Sequence, residues 1–281
     1  MRIAHGLLLL CAMSVPAVAQ GPVWRSLDVS RQLHDTVEHR IRVQYAAGRF
    51  SLRPTTEPVL FAMQLRYDEE RMRPIHEYDS VSHRLTLGVE GDAARWKSLR
   101  GGEQSEMRLA LSTAVPLDLD LRLGATEARV DAGGLSLNRL RVETGAADAV
   151  LDFSAPNRTK LRRLDVQLGA AGFVITNLGN ANVDYISVEG GVGSVDLDFG
   201  GAITEDVTVD ANVALGKFSL HLPNDVGVRV EVKRLLASFD HPGLSRRGNA
   251  YYSSNWDDAR IKMRVRAETV FGAIEIDRGR H

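Results

Sequence analysis

The strongest constraint in this chain is a period. From Pro116 the sequence divides into PLDLDLRLGATEARVDAGGLS, LNRLRVETGAADAVLDFSAPNRT, KLRRLDVQLGAAGFVITNLGNA, NVDYISVEGGVGSVDLDFGGAIT and EDVTVDANVALGKFSLHLPNDV. Each unit has an alternating apolar–polar run, a glycine- or alanine-rich corner, a second alternating run and a polar turn. Gly124, Gly145, Gly169 and Gly190 mark the corners, 21, 24 and 21 residues apart. Alternation puts every second side chain on one face of a strand. One such unit cannot bury that face alone, whereas stacked units line a continuous core. The expected fold is all-β: a β-helix or solenoid-like stack of short strands repeating every 22 residues or so. Two columns are expected to stack, Val142–Val166–Val188–Val209 and Phe153–Ile175–Leu197–Leu220.

Residues 20–114 read as an N-terminal β segment, and 115–281 as the repetitive region. In the first, Ile41, Val43 and Tyr45 alternate with polar residues before AAG turns the chain into RFSLR. Val59–Leu65, Arg84–Val89 and Met107–Leu111 read as further strands. The polar segment from Val29 to His39 is expected to be a helical turn or an extended leader. After Val232 the repeat is interrupted by FDHPGLSRRGNAYYSSNWDDA, with a loop insertion near 240–258. RIKMRVRAETVFGAIEIDRGRH then restores the strand–corner–strand form, with Gly272 at the corner. That last stretch is expected to be the terminal unit, and the insertion a lid or a binding loop. Tyr251, Tyr252 and Trp256 are expected to plug the end of the stack rather than bind a partner.

Residues 1–19 have the three parts of a secretory signal peptide: Arg2, the apolar run Leu7–Val15, and Ala17-Val18-Ala19. Cleavage is expected after Ala19, leaving a periplasmic or secreted protein. The apolar run is too short to cross a bilayer, and no second run is long enough. Cys11, the only cysteine, lies within the leader behind Leu10, which is not the small residue a lipid-modified cysteine wants. Without the leader the chain has no thiol for disulfides, metal thiolates or nucleophilic catalysis. It then has 34 Lys and Arg against 36 Asp and Glu, a balance that does not point to nucleic acid.

VEGGVGSVDLDFGG, 188–201, is the stretch most like a ligand loop. It departs from a calcium nonapeptide where Val195 takes the ligating aspartate's place and Asp196 falls one residue late. Asp196 and Asp198 should face outward, opposite Val195, Leu197 and Phe199. No helix start or Gly-Lys-Ser/Thr follows the glycines, so phosphate binding has no support. His34, His39, His76, His83, His221, His241 and His281 form no HExxH or HxH. Solvated histidines are the preferred reading over a site assembled from distant segments. Arg139, Arg141, Arg162 and Arg163 could form a basic patch, though charges on strands more often block edge pairing. Asn157-Arg158-Thr159 fits a glycosylation sequon. With no GxSxG or SxxK present, no catalytic, cofactor-binding or metal-binding residue is assigned and no cofactor is expected.

VPLDLDLRLGATEARVDAGGLSLNRLRVETGAADAVLDFSAPN, LGNANVDYISVEGGVGSVDLDFGG and LGKFSLHLP resemble the toast-rack family of bacterial envelope proteins. VQYAAGRFSLRP and VLFAMQLRYDEE resemble its opening segment. The resemblance implies a β-helix-like stack without recognised catalytic residues. It also implies kinship with cell-wall-antibiotic and envelope-stress response proteins and with adhesin-like β-solenoids. The expected function is a non-catalytic exported protein making protein or envelope contacts, with a link to the cell-envelope stress response. The alternatives are a polysaccharide-active enzyme or a calcium-stabilised adhesin on the same scaffold.

Overall fold

The structure, a computed structural model, describes residues 22–91 and 104–279. The leader, its cleavage after Ala19 and Cys11 lie outside the described residues. Among the described residues sixteen strands follow in chain order. The N-terminal six are β1 (Trp24–Gln32), β2 (His39–Thr55), β3 (Val59–Asp68), β4 (Met72–Asp79), β5 (Arg84–Gly91) and β6 (Glu106–Ser112). The stack continues through β7 (Pro116–Asp131), β8 (Ser136–Thr144), β9 (Asp148–Asp152), β10 (Leu161–Thr176), β11 (Val183–Asp198) and β12 (Val207–Leu222). The C-terminal four are β13 (Gly227–Asp240), β14 (Leu244–Arg247), β15 (Ala250–Ser253) and β16 (Lys262–Arg278). Among the described residues no helix is long and apolar enough to cross a membrane.

Each long strand bends once, so its halves lie on two faces that meet at a corner. β10 pairs in parallel with β8 along its first half, with β9 along its second, and with β11 along both. An irregular third side closes each coil, filled by buried Leu135, Phe153, Leu178 and Phe199. Its backbone bonds also run from coil to coil: Asn157 N–H to Asn180 C=O at 2.8 Å and Gly179 N–H to Gly200 C=O at 2.8 Å.

Parallel register converts the alternation into columns of like side chains. Ile41, Leu119, Leu140, Leu164, Ile186, Val209, Val265 and Val230 stack in one line, all at most 1 % exposed. Past the corner, Phe50, Ala128, Ala149, Phe173, Val195, Phe218 and Ile274 form another. Two alanines between two phenylalanines keep that column filled without overpacking.

These registers correct both expected columns. Val188 pairs with Ala211, and Val209 with Ile186, because β12 reaches the equivalent point two residues later. Leu151, not Phe153, stands on Ile175; Phe153 lies beyond its strand and fills the third side. The corner also differs from expectation. Gly191, between the pairs Leu168–Gly190 and Ala170–Val192, stands over Gly169, so Gly190 is one residue early. A second glycine ladder begins two residues on, where Gly193, Gly216 and Gly272 stack with φ of 141°, 141° and 130°. A Cβ on Gly216 would lie 1.7 Å from the Gly193 carbonyl oxygen, and one on Gly272 1.7 Å from that of Gly216. Backbone conformation and close approach both require glycine there.

At the C-terminal end chain order and spatial order part. β16 lies between β12 and β13, parallel to both, so the last stretch of sequence is not the terminal rung. β13 is, and the insertion after it forms the hairpin β14–β15, which pairs with β13 only at Arg229 and Val230. At this corner β16 sets Gly272 on Gly216 of β12, and β13 sets Ala237 on Gly272.

At the other end β2 is continued by β5 along its first half and by β6 along its second. β1 and β3 add antiparallel strands beyond β6. The segment from Val29 to His39 is extended, then a loop; its helical alternative is excluded because Val29–Gln32 pair with β3. β1 and β4 lacked a sequence signal: outward positions in both are polar or charged, and β4 contains Pro74.

Candidate functional site

Outward positions on the two faces are mostly charged, and they pair within or across rungs. Arg42 meets Asp120 at 3.0 Å, and Lys217 meets Glu275 at 2.7 Å. Three arginines of the expected basic patch have partners as well. Arg139 and Arg163 both reach the buried Asp165, at 3.0 and 2.5 Å, and Arg141 donates to Gln167 at 2.8 Å. Such exposed pairs add little stability each, but they keep the faces solvated.

A hollow of about 320 Å³ lies across the first halves of β11, β12, β16 and β13. Its carboxylates have partners. Asp210 accepts from the Tyr185 hydroxyl at 2.6 Å and meets Arg266 at 3.4 Å, while Glu268 is 3.7 Å from Lys233 and Glu231 pairs with Arg229. The bond to Asp210, with burial second, raises the Tyr185 hydroxyl above its ordinary value and so holds its proton. These acids are held by neighbours rather than converging on a common point.

The corner breaks this polar pattern. The residue just before the second glycine ladder points out of the bend, and it is apolar in successive rungs. Val192, Leu215, Phe271 and Leu236 stand in register on β11, β12, β16 and β13, exposed by 55, 46, 44 and 64 %. At about 4.8 Å per rung the four make a ridge roughly 14 Å long. Leu235 and Val270 widen it at 74 and 40 % exposure. The ridge owes its continuity to the inserted β16, which places Phe271 between Leu215 and Leu236. A contiguous apolar strip bordered by charge is the surface feature that marks contact sites.

The residues singled out in the sequence fall as follows. Val195, Leu197 and Phe199 are buried, and Asp196 and Asp198 face outward; Asp196 meets His221 at 3.2 Å. Asn157 is 6 % exposed. Its side chain accepts from Leu137 N–H at 2.8 Å and donates to the Leu137 and Thr159 carbonyls at 2.9 and 2.7 Å. The sequon is thus a structural clasp between coils. Tyr251 packs against Phe239 and His241, ring centroids 4.9 and 4.5 Å away, as an end plug would. Tyr252 and Trp256 pair at 5.6 Å on its outer side, beneath Arg247 and Lys262 respectively. His39 and His83, far apart in sequence, come together with Asp35. His34, His76 and His241 lie elsewhere, and His281 is outside the described residues.

The ridge escaped the sequence reading, although its signal was present. Val192-Gly193, Leu215-Gly216 and Phe271-Gly272 each set a large apolar residue before the ladder glycine. Its outward direction depends on the bend, which alternation alone does not encode.

Several solved structures resemble this fold. A provisionally described cell adhesion protein from Clostridium sporogenes aligns over 92 % of this chain and 100 % of its own, at 16 % identity and a TM-score of 0.46. A provisionally described adhesin from Bacteroides fragilis aligns over 91 % and 98 %, at 9 % identity and a TM-score of 0.45. A comparison with curated proteins finds no match. Residues 25–175, more than half of the chain, match the family model of the N-terminal domain of toast_rack, DUF2154. The matched segment runs from β1 into the second half of β10, and takes in the expected opening segment and the first repeats. The chain belongs to this toast-rack family.

Proposed function

We propose that this protein is a non-catalytic, exported contact protein that binds a protein or cell-envelope component through the corner ridge. The observation that carries the reading is the in-register exposure of Val192, Leu215, Phe271 and Leu236 on a surface otherwise laced with ion pairs. The stack supplies rigidity, so the ridge is presented without a loss of conformational freedom on binding. The leader at 1–19 supports export, and toast-rack membership supports a place in the envelope, including its stress response. The acids of the large hollow are engaged by Tyr185, Arg266, Lys233 and Arg229, which favours contact over glycan cleavage.

Replacing Leu215 and Leu236 together by aspartate tests the reading. Both side chains are exposed, so stability should change by no more than about 0.5 kcal/mol per site. Retention on envelope preparations, measured against purified wild-type protein, should fall by about 10-fold or more, the size of a lost hot spot. Unchanged retention by the folded double variant contradicts the proposal.

A further inference from the structure

We infer that Asp35, His39 and His83 form a binding site for one divalent transition-metal ion of the zinc class. The three come from two pieces of chain: Asp35 in the loop after β1 with His39, the first residue of β2, and His83 in the turn between β4 and β5. Their ligand atoms all lie within 4.8 Å of one another. His39 Nε2 is 3.7 Å from Asp35 Oδ1, and His83 Nδ1 is 3.6 Å from Asp35 Oδ2. These separations are too long for hydrogen bonds. They are near the roughly 3.3 Å edge of a tetrahedron whose metal–ligand bonds are about 2.0–2.1 Å. The Tyr78 hydroxyl is also beside both rings, 3.3 Å from His39 Nε2 and 3.4 Å from His83 Nδ1.

The supporting contacts orient these groups. His39 is 2 % exposed, and its Nδ1 donates to the Val37 carbonyl at 2.9 Å. That bond leaves the Nε2 lone pair directed at the cluster, as a carbonyl on the other ring nitrogen does for metal-ligating histidines. His83 sits in the left-handed region, φ 49°, and its carbonyl accepts from Arg40 N–H at 3.0 Å. Its backbone is thereby fixed beside the start of β2. The Arg31 guanidinium lies 3.7 Å from the Tyr78 ring centroid and holds that ring in place.

Two imidazoles and one carboxylate favour zinc-like ions over calcium or magnesium, which prefer oxygen donors. An ion here would fasten the β1–β2 loop and the β4–β5 hairpin to the first half of β2. Three protein donors also leave a fourth position, beside Tyr78, for its hydroxyl or a water. The inference is independent of the corner ridge, which is carried by other strands.

The test is zinc titration of chelator-treated full-length protein by calorimetry, with cobalt absorption as the readout of geometry. One ion per chain is expected, with tetrahedral-type cobalt bands and a rise in melting temperature. His83→Asn keeps a side chain that tolerates the left-handed backbone, and it should weaken zinc binding by about 100-fold, at least the scale of losing a supporting contact. Asp35→Asn should weaken it too, whereas His221→Asn should leave it unchanged. No binding, or binding that folded His83→Asn leaves as tight as in wild type, overturns the assignment.

Discussion

The middle of the stack and its C-terminal end are built from the same repeat but obey different rules. From β7 to β12 each coil lies on the one before it in sequence. At the end, β16 enters between β12 and β13, and the rung made earlier becomes the terminal one. Gly272 fits against the Gly216 carbonyl, and β13 offers Ala237 at the paired position. The insertion after β13 is what allows the chain to travel back, and the hairpin it forms brings Tyr251 onto Phe239 of β13 at the end of the core.

Glycine substitutions should separate the two regions most widely. Gly216→Ala combines a φ of 141° with a Cβ placed 1.7 Å from a backbone oxygen that cannot move without shifting the next rung. A loss above about 4 kcal/mol, or failure to fold, is expected in denaturant melts. Gly248→Ala in the β14–β15 turn has a φ of 65° but nothing within 4 Å of the new methyl group, so about 1–2 kcal/mol is expected. Equal losses at the two sites would remove the distinction between a stacked corner and a free hairpin turn.

How far the sequence foretold all this also differs between the regions. The period, the all-β class, the corners and most strand positions followed from alternation and glycine spacing between Pro116 and Val226. What failed there was phase. GGVG in β11 contains Gly191 of one ladder and Gly193 of the next, and a pattern of letters does not say which glycine carries the bend. The position of β16 was not legible, because a repeat announces the shape of a rung and not its neighbours. The ridge and the histidine cluster were hidden for a related reason. Leu215, Phe271 and Leu236 are adjacent only through ladders, and His39 meets His83 only because β5 lies on β2.

A smaller effect is expected on the regular faces. Burial raises the Asp118 carboxyl above its ordinary value, with Arg139 opposing the shift. A raised value in the folded state means that the native protein holds this proton more tightly than the unfolded chain does. The carboxylate therefore costs stability above the unfolded-state value, and the cost disappears at lower pH. Asp118→Asn should stabilise the protein slightly at neutral pH, by no more than about 0.5 kcal/mol, and not in acid. A gain of equal size at both pH values would rule out this origin.

The central claim is that the corner ridge, completed by the inserted β16, is the surface this protein presents to its partner. Site-specific photo-cross-linking in envelope preparations tests it most directly, with the probe placed in turn at Leu215, Phe271 and Arg129. Leu215 and Phe271 are neighbours on the ridge, whereas Arg129 is exposed on the second face and paired with Glu127 at 2.9 Å. The same discrete adduct is expected from 215 and 271 and none from 129. An adduct from 129 as strong as those from the ridge, or no adduct from 215 and 271, would contradict it.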